Sequence, residues 1–220
     1  MRILKCVQLD ILKSNGIFKF LPFFMALSLV LSFMATDKPM YWGILYMIFG
    51  GMAVVSTPFF SANNISEIFV NMLPASVADR VFGRYLFGVL VLAATAVMGV
   101  AVELIRMTVS GIYAMEGVGV FTGIVFGVAL ILTSLEFLIL YFVKIKNGSL
   151  LSLVRMVPAS IVFFGISALM ETSGDGTWIA ELAQWIAGHL TILALAALAA
   201  GVLLTVICAA ASWLHEKEKY

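Results

Sequence analysis

Few side chains in this sequence are of the types that carry out chemistry, and their spacing does not assemble a catalytic centre. His189 and His215 each stand alone, without a second ligand at the spacing of a metal site. Cys6 and Cys208 have no paired spacing, so we interpret them as small packing residues. The sequence also lacks the Gly-x4-Gly-Lys-Ser/Thr, His-Glu-x-x-His and Gly-x-Ser-x-Gly motifs. We therefore expect no metal, no cofactor and no enzymatic activity in this chain.

Glu136 is the acid that an apolar environment would penalise most, since it lies about two helical turns before Lys144, within an apolar segment. A carboxylate at such a position costs about 2.5–3.5 kcal/mol on membrane-insertion scales. Two interpretations stay open: Glu136 contacts a polar pathway or substrate, or it forms a hydrogen bond that joins two helices. Glu103 and Arg106 are one helical turn apart, and this spacing allows them to pair.

The elements that hold these side chains have a composition suited to lipid. Hydrophobic residues make up 63% of the 220, charged residues 11%, and the mean hydropathy is +1.11. A hydrocarbon core about 30 Å thick requires about 20 apolar residues per helix. The sequence therefore predicts an all-α integral membrane protein with six transmembrane helices in a single domain, 1–220. The predicted spans are residues 17–35, 41–61, 81–104, 118–143, 153–170 and 189–214.

The basic residues are distributed unequally between the two sides that six spans would define. Lys38 and Arg106 fall on one side, and the other side holds Arg2, Lys5, Lys13, Lys19, Arg80, Arg84, Lys144, Lys146, Arg155, Lys217 and Lys219. The positive-inside rule then predicts that both termini are cytoplasmic. The formal net charge of +1 gives no indication of nucleic-acid binding.

Residues 2–14 predict an amphipathic helix that lies in the inner membrane interface. Its apolar residues recur at helical spacing: Ile3, Leu4, Val7, Ile11 and Leu12. Such a helix serves either as a simple membrane anchor or as an element that holds a cytoplasmic partner, and the sequence leaves both open.

The cytoplasmic loop after the second span predicts a short, sharply bounded helix. Asn64 and Glu67 form a capping box, and Leu73-Pro74 ends the helix because a residue before proline disfavours helical geometry. A second capping box at residues 76–79 opens the third span. One face of the short helix is apolar and consists of Ile65, Ile68, Phe69 and Met72. This pattern favours a docking element over a turn that packs on lipid headgroups.

Residues 173–176 form a turn cluster between the fifth and sixth spans, and Trp178, Leu182 and Trp185 follow at helical spacing. Tryptophan is a common anchor at membrane interfaces. The sequence therefore predicts a short outer helix, for which interfacial anchoring is favoured over substrate gating.

The fourth span carries Gly119, Gly123 and Gly127, which recur every four residues. Such a stripe allows the backbone of a second helix to approach closely. We interpret it as a helix-packing surface, matched by small residues at Ala197 and Gly201 in the sixth span.

The run from Met72 to Leu86, MLPASVADRVFGRYL, resembles the Leu-Pro-x-Ser…Val-x-Gly-Lys-Tyr-Leu signature of small ABC-2 type permeases. Arg84 stands where lysine is common, and Ala78-Asp79 replaces a more basic pair. Within that family the chain is similar to the permeases of bacterial phenol-soluble modulin exporters, which carry amphipathic peptides. The six spans, the N-terminal interfacial helix and the short helices after spans two and five agree with this family's topology.

The resemblance implies a permease of a bacterial plasma membrane that acts with a second copy or a paralogue and with two ABC ATPase subunits. ATP and Mg would be bound by the ATPase, so this chain needs no cofactor. The helix at 64–73 would be the coupling helix that docks on the ATPase through Ile65, Glu67, Ile68, Phe69, Met72, Leu73 and Pro74. The substrate implied is hydrophobic or amphipathic, most simply a peptide moved outward, and 17 Phe and 12 Met suit an apolar pathway.

Two other classes of function stay open at this point. A non-transporting immunity or sensor protein would sequester peptide without an ATPase. An ion-driven secondary carrier would place several ionisable groups or broken helices near the midplane, whereas this sequence offers mainly Glu136.

Overall fold

The computed structural model describes residues 2–19, 21–34, 41–59, 75–111, 115–143, 185 and 188–218. Within these ranges the regular structure is helical. The elements are α1 (Arg2–Phe18), α2 (Leu21–Met34), α3 (Trp42–Val55), a 3-10 turn (Thr57–Phe59), α4 (Val77–Ser110), α5 (Met115–Phe142) and α6 (Leu190–Lys217).

Four stretches among the described residues are long and apolar enough to cross a membrane: Trp42–Phe59, Val77–Ser110, Gly117–Phe142 and Leu190–Lys217. They correspond to the second, third, fourth and sixth predicted spans. The first predicted span coincides with α2, which has 14 residues and is about 21 Å long at 1.5 Å per residue. It reaches spanning length only when it is taken with α1, from which it is bent by 70°. The described residues thus hold four candidate spans, or five with this bent pair.

Three predicted elements lie outside the described residues. They are the coupling helix at 64–73, the fifth span at 153–170, and the outer helix around 178–186 except for Trp185. The total of six spans and the roles of these elements therefore stay predictions.

The helix α1 lies where an amphipathic helix was predicted, but the face that packs on the protein differs from the predicted apolar face. Val7, Asp10 and Ser14 are buried, whereas Leu4 and Leu12 are 59% and 72% exposed. The packed face is mixed because it meets polar groups of α4 and of the 3-10 turn. Leu4 and Leu12 lie on the side of α1 that faces away from these contacts, and the interfacial position of α1 stays a prediction.

The helix α4 is the longest element and has well-defined ends. Its first turn carries the predicted capping box, since Asp79 N donates to Ser76 Oγ and Ser76 N donates to Asp79 Oδ2, both at 3.1 Å. Gly111 ends the helix with φ +69°, a left-handed conformation that suits glycine. At 34 residues α4 is about 51 Å long and exceeds the hydrocarbon thickness of about 30 Å.

The helices α5 and α6 approach closely along part of the glycine stripe. A Cβ atom at Gly127 would lie 2.7 Å from the carbonyl oxygen of Ala197, and one at Gly123 would lie 3.2 Å from Ala194 Cβ. Gly119 has nothing within 4 Å of the same position. The close approach that small residues permit is therefore made by two of the three glycines.

Candidate functional site

The predicted ATPase-docking residues belong to the segment between Phe59 and Ala75, which lies outside the described residues; they are Ile65, Glu67, Ile68, Phe69, Met72, Leu73 and Pro74. The structure does describe the two elements that this segment joins. The 3-10 turn Thr57–Phe59 precedes it, and the capped start of α4 follows it. A group of buried contacts around Arg84 surrounds these two elements.

The 3-10 turn is attached to α1 by buried hydroxyl groups. Thr57 Oγ1 donates to the carbonyl oxygen of Val54 at 2.5 Å, and Ser14 Oγ lies 2.7 Å from Thr57 Oγ1 within hydrogen-bonding distance. Both hydroxyl-bearing residues are buried. Because buried hydroxyls are costly without partners, this pairing fixes the turn to α1.

Arg84, one turn after the box that opens α4, links three elements. Its Nε lies 3.8 Å from Asp10 Oδ2 of α1. Its guanidinium carbon lies 4.4 Å from the ring centroid of Phe59 and 5.9 Å from that of Tyr141. Cation–π attraction to the rings and charge attraction to Asp10 together offset the cost of removing the guanidinium from water. Burial raises the pKa of the Asp10 carboxyl, and the Arg84 charge opposes that shift.

Aromatic rings continue the contacts of Arg84 into α5 and α6. The Phe59 ring lies 5.0 Å from Phe137 and 5.3 Å from Tyr141, and the Tyr85 ring meets Phe137 edge-on at 5.2 Å. Tyr85 also places its hydroxyl 3.0 Å from Ser212 Oγ of α6. We call the whole group the Arg84 cluster: Asp10, Ser14, Thr57, Phe59, Arg84, Tyr85, Phe137, Tyr141 and Ser212.

Gly83 allows α1 to pack closely on α4, next to the residues of α4 that bind it. A Cβ atom at Gly83 would lie 2.8 Å from Cys6 Cβ and 3.3 Å from the Ile3 carbonyl oxygen. Glycine therefore lets α1 lie directly against α4. Gly83 leaves room for α1, and Arg84 binds α1 through Asp10. Tyr85 binds α6 through Ser212.

The Arg84 cluster was not predicted as a site. A signal was present, since Asp10 and Ser14 are one turn apart on one side of the amphipathic helix and Arg84 falls inside an apolar span. What the sequence did not supply was the pairing, because the two charges are 74 positions apart and only the fold brings them together.

Glu136, the predicted intramembrane polar residue, is 3% exposed, and it is not without an interaction partner. The neighbouring Ser134 places its Oγ 2.7 Å from Thr205 Oγ1, which donates to the Gly201 carbonyl oxygen at 2.7 Å. A hydrogen bond of Ser134 thus joins α5 to α6, while Glu136, two positions further along, projects from a different side of α5. In the described part of the chain no group of three His, Cys, Asp or Glu side chains lies close enough to hold a metal ion.

Comparison with known proteins gives one positive result. A family model described as "ABC-2 family transporter protein" matches residues 8–215 of the chain. No curated protein and no solved structure matches it. The matched range includes most of α1, nearly all of α6 and the whole Arg84 cluster.

Proposed function

The chain belongs to the ABC-2 family of transporter proteins, and we propose that it is the permease subunit of an ATP-driven exporter. Its multi-pass membrane character and family membership establish a permease of an ABC transporter. The further proposal is that it moves a hydrophobic or amphipathic substrate, most simply a peptide, outward across a bacterial plasma membrane. The match over residues 8–215 carries the permease assignment. The outward direction and the amphipathic substrate are proposed from the resemblance of residues 72–86 and from the apolar composition.

Energy for transport would come from a separate subunit. The chain has no phosphate-binding Gly-x4-Gly-Lys-Ser/Thr loop, so a partner ATPase would bind ATP and Mg. The ATPase would grip the helix at 64–73, with Phe69 and Met72 as apolar contacts and Glu67 as a polar one. A second copy of this chain or a paralogue would complete the pathway.

The Arg84 cluster supports this arrangement because its contacts lie at both ends of residues 60–74, the segment on which the ATPase would exert force. One end of that segment leaves from Phe59, which lies under the Arg84 guanidinium. The other end enters α4 through the Ser76–Asp79 box, one to two turns before Arg84. Motion of the docking helix would therefore reach α1, α4, α5 and α6 through one set of contacts.

Purification of the tagged chain from native membranes tests the partner first. We expect a soluble ATPase to co-purify and to hydrolyse ATP when the complex is placed in liposomes. Absence of any ATPase from a complex that still binds peptide would contradict the proposal and favour a sequestering protein. Uptake that follows a proton gradient and ignores ATP would favour an ion-driven carrier instead.

A double variant, Phe69→Asp with Met72→Asp, tests the docking helix. We expect it to retain its fold but to lose ATP-dependent uptake of a labelled amphipathic helical peptide into inverted vesicles, since charge in the apolar contact is strongly unfavourable. The matched control, Phe69→Leu with Met72→Leu, keeps an apolar face and should retain uptake. Equal uptake by the two double variants would refute the docking role.

A further inference from the structure

A second buried charge pair lies at the opposite end of α4. Glu103 is fully buried and Arg106 is 5% exposed. Arg106 Nε donates to Glu103 Oε2 at 2.7 Å, which confirms the pairing that their spacing allowed. The other carboxylate oxygen, Oε1, accepts from Ser32 Oγ at 3.1 Å and from Gly43 N at 3.0 Å. We call these four residues the Glu103 cluster.

The carboxylate of Glu103 acts as the cap of a helix that lacks its own. Tyr41 is the N-cap residue of α3 and makes no side-chain capping bond. The first amide groups of a helix have no partner within the helix, and a negative charge beside them is favourable. Glu103 supplies both the acceptor and the charge from 60 positions away in the sequence.

Glycines bring the three helices close enough for this contact. A Cβ atom at Gly43 would lie 2.7 Å from Val102 Cγ1 and 2.9 Å from Ser32 Oγ. One at Gly99 would lie 2.8 Å from Ile44 Cα. The helices α3 and α4 therefore touch backbone to backbone near Glu103, and the end of α2 lies against both.

The Glu103 cluster lies far from residues 60–74, the segment that connects α3 to α4 in the chain. That segment joins α3 to α4 at the α1 end of the bundle, whereas Glu103 joins the same two helices about 40 Å further along α4, at 1.5 Å per residue from Ser76. The pair α3–α4 is thus joined by the chain at one end and by the bonds of Glu103 at the other. Ser32 adds α2 to the same closure.

We propose that Glu103 is a positioning residue that makes α2, α3 and α4 one rigid body. A force applied to residues 60–74 would then move α2, α3 and α4 together. Without this rigidity, the same force would separate α3 from α4. The source of the push rests on the proposed function, but the rigidity is a property of this chain alone and can be tested without a partner.

The polar bonding of the cluster favours a geometric role over a role in overall stability. Arg106 Nη2 is buried and has no hydrogen-bond partner, which is unfavourable. Replacing a buried ion pair by apolar residues of similar volume is often neutral or stabilising. The directional bonds from Glu103 to Ser32 and Gly43, by contrast, fix the relative positions of three helices.

Spin labels test the rigidity directly. Val30 of α2 and Val109 of α4 are exposed, and each is replaced by cysteine in a Cys6→Ser, Cys208→Ala background, with the chain in lipid nanodiscs. We expect one narrow distance distribution, and a broader or bimodal one after Glu103→Leu, which removes the acceptor of Ser32 Oγ and Gly43 N. A control pair at Val128 of α5 and Leu195 of α6 should be unchanged by the substitution. A Val30–Val109 distribution that stays narrow in Glu103→Leu overturns the proposal, whether or not an ATPase partner exists.

A variant without buried charge separates positioning from stability. The double substitution Glu103→Leu with Arg106→Leu removes both charges and the unpartnered nitrogen, so it should fold even if Glu103→Leu alone does not. It leaves Ser32 Oγ and Gly43 N without their acceptor, so we expect its unfolding midpoint to lie between those of the parent and of Glu103→Leu. We also expect its label distribution to broaden and its peptide uptake per ATP hydrolysed to fall roughly fivefold or more. Parental uptake with a narrow distribution would overturn the proposal. Failure of the proposed function would show itself differently, as the absence of ATP-driven uptake in the parent.

Discussion

Each end of α4 holds an arginine beside a carboxylate, and the two pairs differ in their distance, burial and surroundings. In the Glu103 cluster the carboxylate and guanidinium are 2.7 Å apart on one helix, and their side chains are 0% and 6% exposed. In the Arg84 cluster they are 3.8 Å apart on two helices, and the arginine side chain is 21% exposed. Hydrogen bonds to the carboxylate surround the first pair. The guanidinium of the second pair lies against the rings of Phe59 and Tyr141, and buried hydroxyl pairs lie elsewhere in its cluster. The first arrangement is suited to holding helices still, and the second to letting them shift.

The physical basis of this difference is directionality. A short, charge-assisted hydrogen bond weakens steeply when its angle or length changes. A guanidinium over aromatic rings keeps most of its attraction while it moves by about an ångström, because cation–π contacts act within about 6 Å of the ring centroid. The contacts of Arg84 with Asp10 and Phe59 should therefore tolerate small shifts better than the bonds of Glu103.

The largest effect should come from removing one member of the Glu103 pair. Arg106→Leu leaves the Glu103 carboxylate buried without its cation, and we expect the free energy of unfolding to fall by about 3–5 kcal/mol. Chemical denaturation in mild detergent measures this. The double variant with Glu103→Leu should recover only part of the loss, because Ser32 Oγ and Gly43 N lose their acceptor. A double variant as unstable as Arg106→Leu alone would contradict the assignment of a buried pair.

Glycine-to-alanine substitutions at the two ends should reduce stability by smaller amounts, and the reduction should differ between the ends. Gly43→Ala places a methyl group against Val102 and Ser32 inside the Glu103 cluster, so we expect a loss of about 1–3 kcal/mol from overpacking. Gly83→Ala meets Cys6 of α1, a single helix with an exposed face that can move away, and should cost less. Thermal shift of the two variants in the same detergent tests this order, and a greater loss in Gly83→Ala would reverse the comparison.

The capping box at the start of α4 should contribute less to the free energy of unfolding than the packing around Gly43. Ser76→Ala removes the acceptor for Asp79 N and should cost about 1 kcal/mol. Ser76→Thr keeps the hydroxyl and serves as the matched control. Equal unfolding free energies of the two variants would show that the cap does not hold this end of α4.

The smallest change in stability should follow Asp10→Asn in the Arg84 cluster. Asp10 is buried, but the pair is long at 3.8 Å and the Arg84 side chain is 21% exposed, so we expect a loss of about 1 kcal/mol or less. Transport should suffer more than stability, because α1 would no longer follow α4. Comparison of peptide uptake with the unfolding midpoint checks this, and Asp10→Glu, which keeps the charge, should restore uptake. A stability loss as large as that of Arg106→Leu would contradict a loose contact.

Local features of the fold were predictable from the sequence, and distant pairings were not. The capping box at Ser76 and Asp79 and the pairing of Glu103 with Arg106 each lie within one helical turn, and the structure confirms both. Four of the apolar segments are helices long enough to span a membrane. Helix α4 extends beyond the predicted 81–104 at both ends, because its cap and its terminal glycine lie outside the apolar run.

The partners of Glu103 were beyond sequence reasoning because the carboxylate bonds are made across three helices. Nothing near Gly43 in the sequence marks its amide as needing a remote acceptor. The glycine stripe illustrates the same limit, since Gly119 and Gly127 have identical spacing but differ in what lies against them. Such differences depend on helix rotation and tilt, which are fixed by packing.

The most direct test places one label pair at each end of α4 in the complete transporter. Val30–Val109 reports on the Glu103 end, and Leu12–Leu86 reports on the contact of α1 with α4. Distances are measured in nanodiscs with the co-purified ATPase, without nucleotide and after trapping with ATP and vanadate. We predict that the Val30–Val109 distance stays constant while the Leu12–Leu86 distance changes. A shift at the Glu103 end with no change beside α1 would contradict the account.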